Sequence, residues 1–115
     1  MNAHAAAYGA VQRAARSLDL RGTEAEILRR CAREIEAAET PTALARALEA
    51  QRDLWTALAA DLVSPANALP EEIRLGLLRV AHWILSDLDA EAPIRAQHAA
   101  LNRQIALGLQ GDAGP

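Results

Sequence analysis

The chain has no phenylalanine, one cysteine, and no large aromatics beyond Tyr8, Trp55 and Trp83. A core without Phe must be built from Leu, Ile, Val and Ala, a mixture that favours helices because Ala and Leu lose little on entering one. No segment alternates with period two for long, and Gly stays out of the apolar stripes except at Gly76, so a sheet is not expected. With Cys31 alone, no intrachain disulfide can form. Charges interrupt every apolar run well short of the roughly 20 residues a membrane span needs, which excludes membrane insertion. Lysine is absent too: all twelve cations are arginines, against fifteen acids, for a net charge of -3. That balance argues against duplex DNA or an anionic membrane as the main partner. No charged leader followed by an apolar run precedes a small-residue cleavage site, so a cytoplasmic protein is expected.

At 115 residues the chain has the size of one domain with a real core. The expected architecture is all-α, a single-domain bundle of about five helices over residues 1–110, with a disordered tail over 111–115. The stretch 44–88 is expected to organise it. There Leu44, Leu48, Trp55, Leu58 and Leu62 line one helical face, widened by Leu54. After the kinked segment Ser64-Pro65-Ala66-Asn67-Ala68-Leu69-Pro70, Ile73, Leu77, Val80, Ala81, Ile84 and Leu88 line a second, broadened by Leu78 and Leu85. A stripe that wide predicts the most buried helix.

Boundary signals place the rest. Thr23-Glu24-Ala25-Glu26 reads as a capping box opening a helix over 23–38, with Ile27, Leu28, Cys31, Ile35 and Ala38 inward. Thr40-Pro41 opens a helix over 41–62, which Ser64 before Pro65 ends. Pro70, with Glu71 and Glu72 behind it, starts the next at 70–88, and Leu69 is expected to plug the core. A last helix carries Ile94, His98, Leu101, Ile105 and Leu109 on one face. The first segment, 3–18, sets Tyr8, Val11, Ala15 and Leu18 on one face but is otherwise mostly alanine, so it should be weakly held and fit to serve as a movable cover.

Candidate chemistry is sparse. Cys31 and His82 invite a nucleophile-and-base reading, but Cys31 lies on an apolar face with no orienting third group. A metal clamp at His82 would need a ligand four residues away, where Leu78 and Ser86 stand. Arg29, Arg30 and Arg33, with Arg13 and Arg16, could read phosphates, but interleaved Glu24, Glu26, Glu34 and Glu36 favour a salt-bridged face. No catalytic, cofactor-binding or metal-ligating residue is therefore expected, and the chain is not expected to be an enzyme. Trp55 and Trp83 read either as packing keystones or as binding residues.

Several blocks, in order, resemble the FlaF family of flagellar biosynthesis regulators of alphaproteobacteria. They are Ala7-Tyr8-Gly9 with Val11-Gln12, Thr23-Glu24-Ala25-Glu26, Leu54-Trp55 through Asp61, Pro65-Ala66-Asn67-Ala68-Leu69-Pro70, and Asn102-Arg103-Gln104-Ile105 ending in Gly108-Leu109. Where the family pattern is Asn-Arg-Asp-Leu-Trp, this chain has Gln51-Arg52-Asp53-Leu54-Trp55. The resemblance implies a non-enzymatic role in flagellin synthesis and export, with flagellin as partner and a link to the regulator FlbT. The resemblance carries no residue-level binding map; the partner-binding residues inferred from the sequence itself are Tyr8, Arg52, Leu54, Trp55, Trp83, Asn102 and Arg103. The alternative is an RNA-binding post-transcriptional regulator of flagellin mRNA translation working with FlbT.

Overall fold

Residues 22–109 are described by the structure, a computed structural model. Within them the chain forms four helices and no strand: α1 (Gly22–Ala37), α2 (Pro41–Val63), α3 (Glu71–Leu88) and α4 (Arg95–Leu109). The helix expected over 3–18, with its Tyr8, and the tail expected over 111–115 lie outside the described residues. None of the described helices is long and apolar enough to cross a membrane.

The punctuation residues act largely as their chemistry dictates. Thr40 sits in extended geometry and its Oγ1 accepts the Ala43 N–H at 3.1 Å, with Pro41 at the first helical position. Ser64 is pushed to extended backbone before Pro65 and ends α2. The turn that follows is tied down internally: Asn67 Nδ2 donates to the Asp61 carbonyl, Asn67 Oδ1 accepts from the Leu69 N–H, and Leu69 is buried in the core. Pro70 is the N-cap of α3, so the helix starts at Glu71, one position later than expected, and the Pro70 carbonyl accepts from Ile73 and Arg74.

Two boundary readings are corrected. Thr23 already lies inside α1, and the Glu26 carboxylate pairs with Arg29 and Arg33, so no capping box forms there. Ile94 is 56% exposed. It precedes the first helical residue, accepting the Gln97 and His98 amides through its carbonyl, so its side chain does not share the inner face of α4.

The helices run alternately up and down. Leu28 and Glu36 of α1 meet Asn102 and Arg103 of α4, and Ile35 meets Arg95, which makes these two antiparallel. Gln51 and Trp55 of α2 meet His98 and Asn102, which makes α2 and α4 parallel. The closest backbone approaches are α1 with α4, α2 with α3 and α1 with α2. The pairing of α1 with α4 is the most extensive, so the 44–88 hairpin is not the sole organiser. Nor is α3 the most buried helix. It buries Leu77, Ala81 and Ile84, whereas α1, held between α2 and α4, buries Ala25, Leu28, Cys31, Ala32 and Ile35. The physical reason is that α3 has one close neighbour among the described helices and α1 has two.

The Thr40 cap supplies a direct check. Thr40→Ala removes an acceptor from a first-turn amide and should cost about 1 kcal/mol of stability in urea denaturation, with an unchanged m-value.

Candidate functional site

Among the described residues three polar side chains are fully buried: Gln51, His98 and Asn102. They sit at core-facing registers, Gln51 one turn before Trp55 on α2, and His98 and Asn102 one turn apart on α4. Burial obliges each to find partners inside. Trp55 Nε1 can only donate, and it donates to Asn102 Oδ1 at 2.9 Å. The Leu28 carbonyl can only accept, and it takes Asn102 Nδ2 at 3.3 Å. These two neighbours fix the Asn102 amide in one orientation. Gln51 then pairs reciprocally with it: Asn102 Nδ2 donates to Gln51 Oε1 at 2.7 Å, and Gln51 Nε2 donates to Asn102 Oδ1 at 3.0 Å.

The orientation propagates to His98. With Gln51 Nε2 donating toward His98 Nδ1 at 3.2 Å, Nδ1 is the acceptor and the ring proton is on Nε2, which donates to Asp87 Oδ2 at 3.0 Å. The same Asp87 oxygen accepts the Ile94 N–H at 2.7 Å, placing a carboxylate at the positive end of α4. The Trp83 ring stands 5.2 Å from the imidazole, tilted at 44°. Burial lowers the His98 pKa, and the hydrogen bond and charge of Asp87 oppose this without overcoming it. The ring is therefore neutral near pH 7. One network thus joins α1, α2, the end of α3 and α4.

The residues inferred from sequence separate into two groups. Trp55, 1% exposed, and Asn102, 0% exposed, face one another inside the bundle, so their contacts are internal. The others lie outward or at the rim. Arg52 pairs with Asp89 at 2.6 Å, tying α2 to the C-cap of α3. Arg103 grips Glu36 with both Nη atoms, at 2.6 and 2.8 Å, and this bond holds the Glu36 carboxyl below its usual pKa. Leu54 is half-buried against the core, and Trp83 is half-buried on α3. Tyr8 lies outside the described residues. Sequence reasoning did not single out Gln51 and Asp87, nor Arg95, whose guanidinium caps the Ile35 and Ala38 carbonyls at the end of α1. The signal for Gln51 was its place on the Leu44, Leu48, Trp55 face.

Two other candidates resolve simply. Cys31 is buried and burial raises its thiol pKa, while His82 is exposed. Among the described residues no three of His, Cys, Asp and Glu gather to hold a metal. Arg29 and Arg33 both pair with Glu26, whose pKa is lowered by these bonds, so that part of the arginine strip is a salt-bridged surface.

On the outside, α3 keeps a partly covered apolar flank, along which Ile73, Gly76, Val80 and Trp83 recur at helical spacing, all half-buried, while Leu75, 41% exposed, lies on the outer side with Arg79. A methyl group at Gly76 would meet nothing within 4 Å. The flank is open there.

Two measurements check the network. Trp55→Ala should cost about 3–5 kcal/mol in denaturant unfolding, and Trp83→Ala less than about half of that, because only Trp55 is fully enclosed and hydrogen-bonded. His98 gives a pH signature. Its folded pKa lies below the ordinary 6.5, so as pH falls below 6.5 the unfolded chain takes up a proton that the folded chain resists, and stability drops. The loss approaches at most about 1.4 kcal/mol per pH unit for one proton, ahead of the losses from Glu26 and Glu36 below their ordinary 4.5. His98→Gln should flatten the stability profile between about pH 6.5 and 5.

Comparison with known proteins gives one finding. The family model for the flagellar protein FlaF matches residues 4–109, whereas no curated protein and no solved structure matches the chain. The match takes in every described helix and both halves of the buried amide pair. The chain belongs to the FlaF family of flagellar proteins.

Proposed function

We propose that this flagellar protein binds flagellin in the cytoplasm and acts as a flagellin chaperone, a secretion and synthesis factor without a catalytic step of its own. The observation that carries the reading is the partly covered apolar flank of α3, with Ile73, Val80 and Trp83 half-buried and open space at Gly76. Such a flank suits an amphipathic helix laid along it, since a glycine notch admits a close backbone and the neighbouring side chains supply apolar contact. Flagellin suits the role by its chemistry, because helical segments that stay unfolded before polymerisation need an apolar surface in the meantime. Of the inferred residues Trp83 lies on that flank, while Arg52 pairs with Asp89 at the C-cap of α3 and Arg103 with Glu36 of α1. FlbT enters as a regulator linked to the same task.

The rival reading, an RNA-binding regulator of flagellin mRNA translation working with FlbT, would draw on arginines such as Arg29 and Arg33, which here are paired with Glu26. Salt separates the two. A helix-in-groove complex buries apolar surface and should show a negative heat-capacity change with an affinity little altered between about 50 and 200 mM salt, whereas RNA binding should weaken steeply over that range. Calorimetry with monomeric flagellin at micromolar concentration makes the measurement. No detectable heat of binding at any salt concentration, with the protein folded, overturns the proposal, and Gly76→Asp, which puts a charge in the open notch, should weaken a genuine complex about tenfold or more.

A further inference from the structure

We infer that His98 is a proton-operated latch between α2 and α4. A second proton on its ring unseats Gln51 from Asn102 and lets water reach Trp55, while α1 with α4 and α2 with α3 stay paired. The inference goes beyond the proposed function and does not rest on it. Its basis is the wiring of the buried groups. In the closed bundle Nδ1 of His98 accepts from Gln51 Nε2. An imidazolium donates from both nitrogens, so it would set N–H against N–H at that contact.

No rearrangement inside the closed bundle removes the conflict. Turning the Gln51 amide over gives the Nδ1–H an acceptor, but it sets the Gln51 oxygen against Asn102 Oδ1 and the Gln51 nitrogen against Asn102 Nδ2, which breaks both bonds of the amide pair. Turning Asn102 over as well restores that pair. The Trp55 indole N–H then faces the Asn102 nitrogen, and the Leu28 carbonyl faces the Asn102 oxygen. Each arrangement leaves buried donors or acceptors unpaired, a cost that water entering the seam relieves.

The charges around the ring decide where the seam gives. Asp87, at the end of α3, receives the Nε2–H and binds an imidazolium more strongly than a neutral ring, so that contact tightens and the break falls on the Gln51 side. Trp83 of α3 and Gln51 of α2 carry no charge. Arg52, beside Gln51, is paired with Asp89, and Arg95, one turn before His98, is turned to the Ile35 and Ala38 carbonyls. On α1, Leu28 lies opposite Asn102 and Ile35 opposite Arg95, so Cys31 and Ala32 stand at the level of the ring, and burial keeps the thiol protonated. The backbones of α2 and α4 are not among the close pairs, unlike those of α1 with α4 and α2 with α3. That seam is held by side chains. Burial outweighs Asp87 and makes the closed ring a weaker base than free imidazole, so the closed form is favoured above pH 6.5 and loses ground to the open form as pH falls below it.

Nuclear magnetic resonance of the full-length chain between about pH 7.5 and 5 tests the latch. The ring nitrogens of His98 report its protonation. Protection of the Trp55 indole N–H from solvent exchange, corrected for the intrinsic effect of pH, reports the seam. Protection should fall about tenfold or more in step with His98 protonation, with helical circular dichroism retained and the amides of residues 28–35 unchanged. Constant protection while His98 titrates overturns the inference, as does a ring that stays neutral throughout, or protection lost only together with circular dichroism. Gln51→Glu separates wiring from burial, because a carboxylate there accepts from Nδ1–H without turning Asn102 over. In that variant His98 should take up its proton with Trp55 protection changed by less than about twofold. A fall as large as in the unaltered chain overturns the latch.

Discussion

The Asn102 amide is held between a group that can only donate, the Trp55 indole, and a group that can only accept, the Leu28 carbonyl, and that constraint sets the orientation of everything bonded to it. Gln51 must present its oxygen to one side and its nitrogen to the other, His98 must accept at Nδ1, and Asp87 must be the carboxylate that receives the remaining ring proton. A network of this kind is valuable for selectivity more than for net energy. Each bond contributes modestly when made, but a buried amide or indole left without its partner costs about 1–3 kcal/mol, so alternative packings of the same apolar helices are penalised. In a core of Leu, Ile and Ala, where many registers bury similar area, this singles out one. The side chains also fill the space between α2 and α4, whose backbones are not among the close pairs.

Helix ends in this bundle are finished by one another. The carbonyls of Ile35 and Ala38 at the end of α1 are taken up by Arg95 of α4, and the first amide of the α4 entry is taken up by Asp87 of α3. Each arrangement also suits the helix dipole, a cation at a C-terminus and an anion at an N-terminus. Thr40 and the Asn67 turn are local, formed within a few residues. The Arg95 and Asp87 caps are not local in this sense, because each depends on two helices being correctly placed.

This division explains what could be read from the sequence. Thr40-Pro41 and Ser64-Pro65 mark their boundaries through chemistry that acts within one turn, so α2 was legible almost to the residue, and the burial of Leu69 followed from its place between two helical stripes. Thr23 and Glu26 had the right spacing for a capping box, but Arg29 and Arg33 lie on the same helical face as Glu26 and claim its carboxylate. The width of the α3 stripe was plain. That it signified a partly covered flank rather than the deepest burial depended on α3 having one close neighbour where α1 has two, which no local pattern encodes. Gln51 was visible as a departure from the family's Asn at that place, and its longer arm still delivers an amide to Asn102. The partnership itself spans 51 positions in sequence and had no local signature.

The same separation in sequence has a consequence for the order of events at the ribosome. Gln51 and Trp55 are made before the groups that satisfy them, on His98 and Asn102 of α4. A nascent chain that has completed the hairpin of α2 and α3 still carries an indole N–H and a primary amide directed at an unfilled place. Such polar groups discourage premature collapse of that face, because closing it without α4 would strand them away from water. The bundle is therefore arranged to become complete only once α4 has been made.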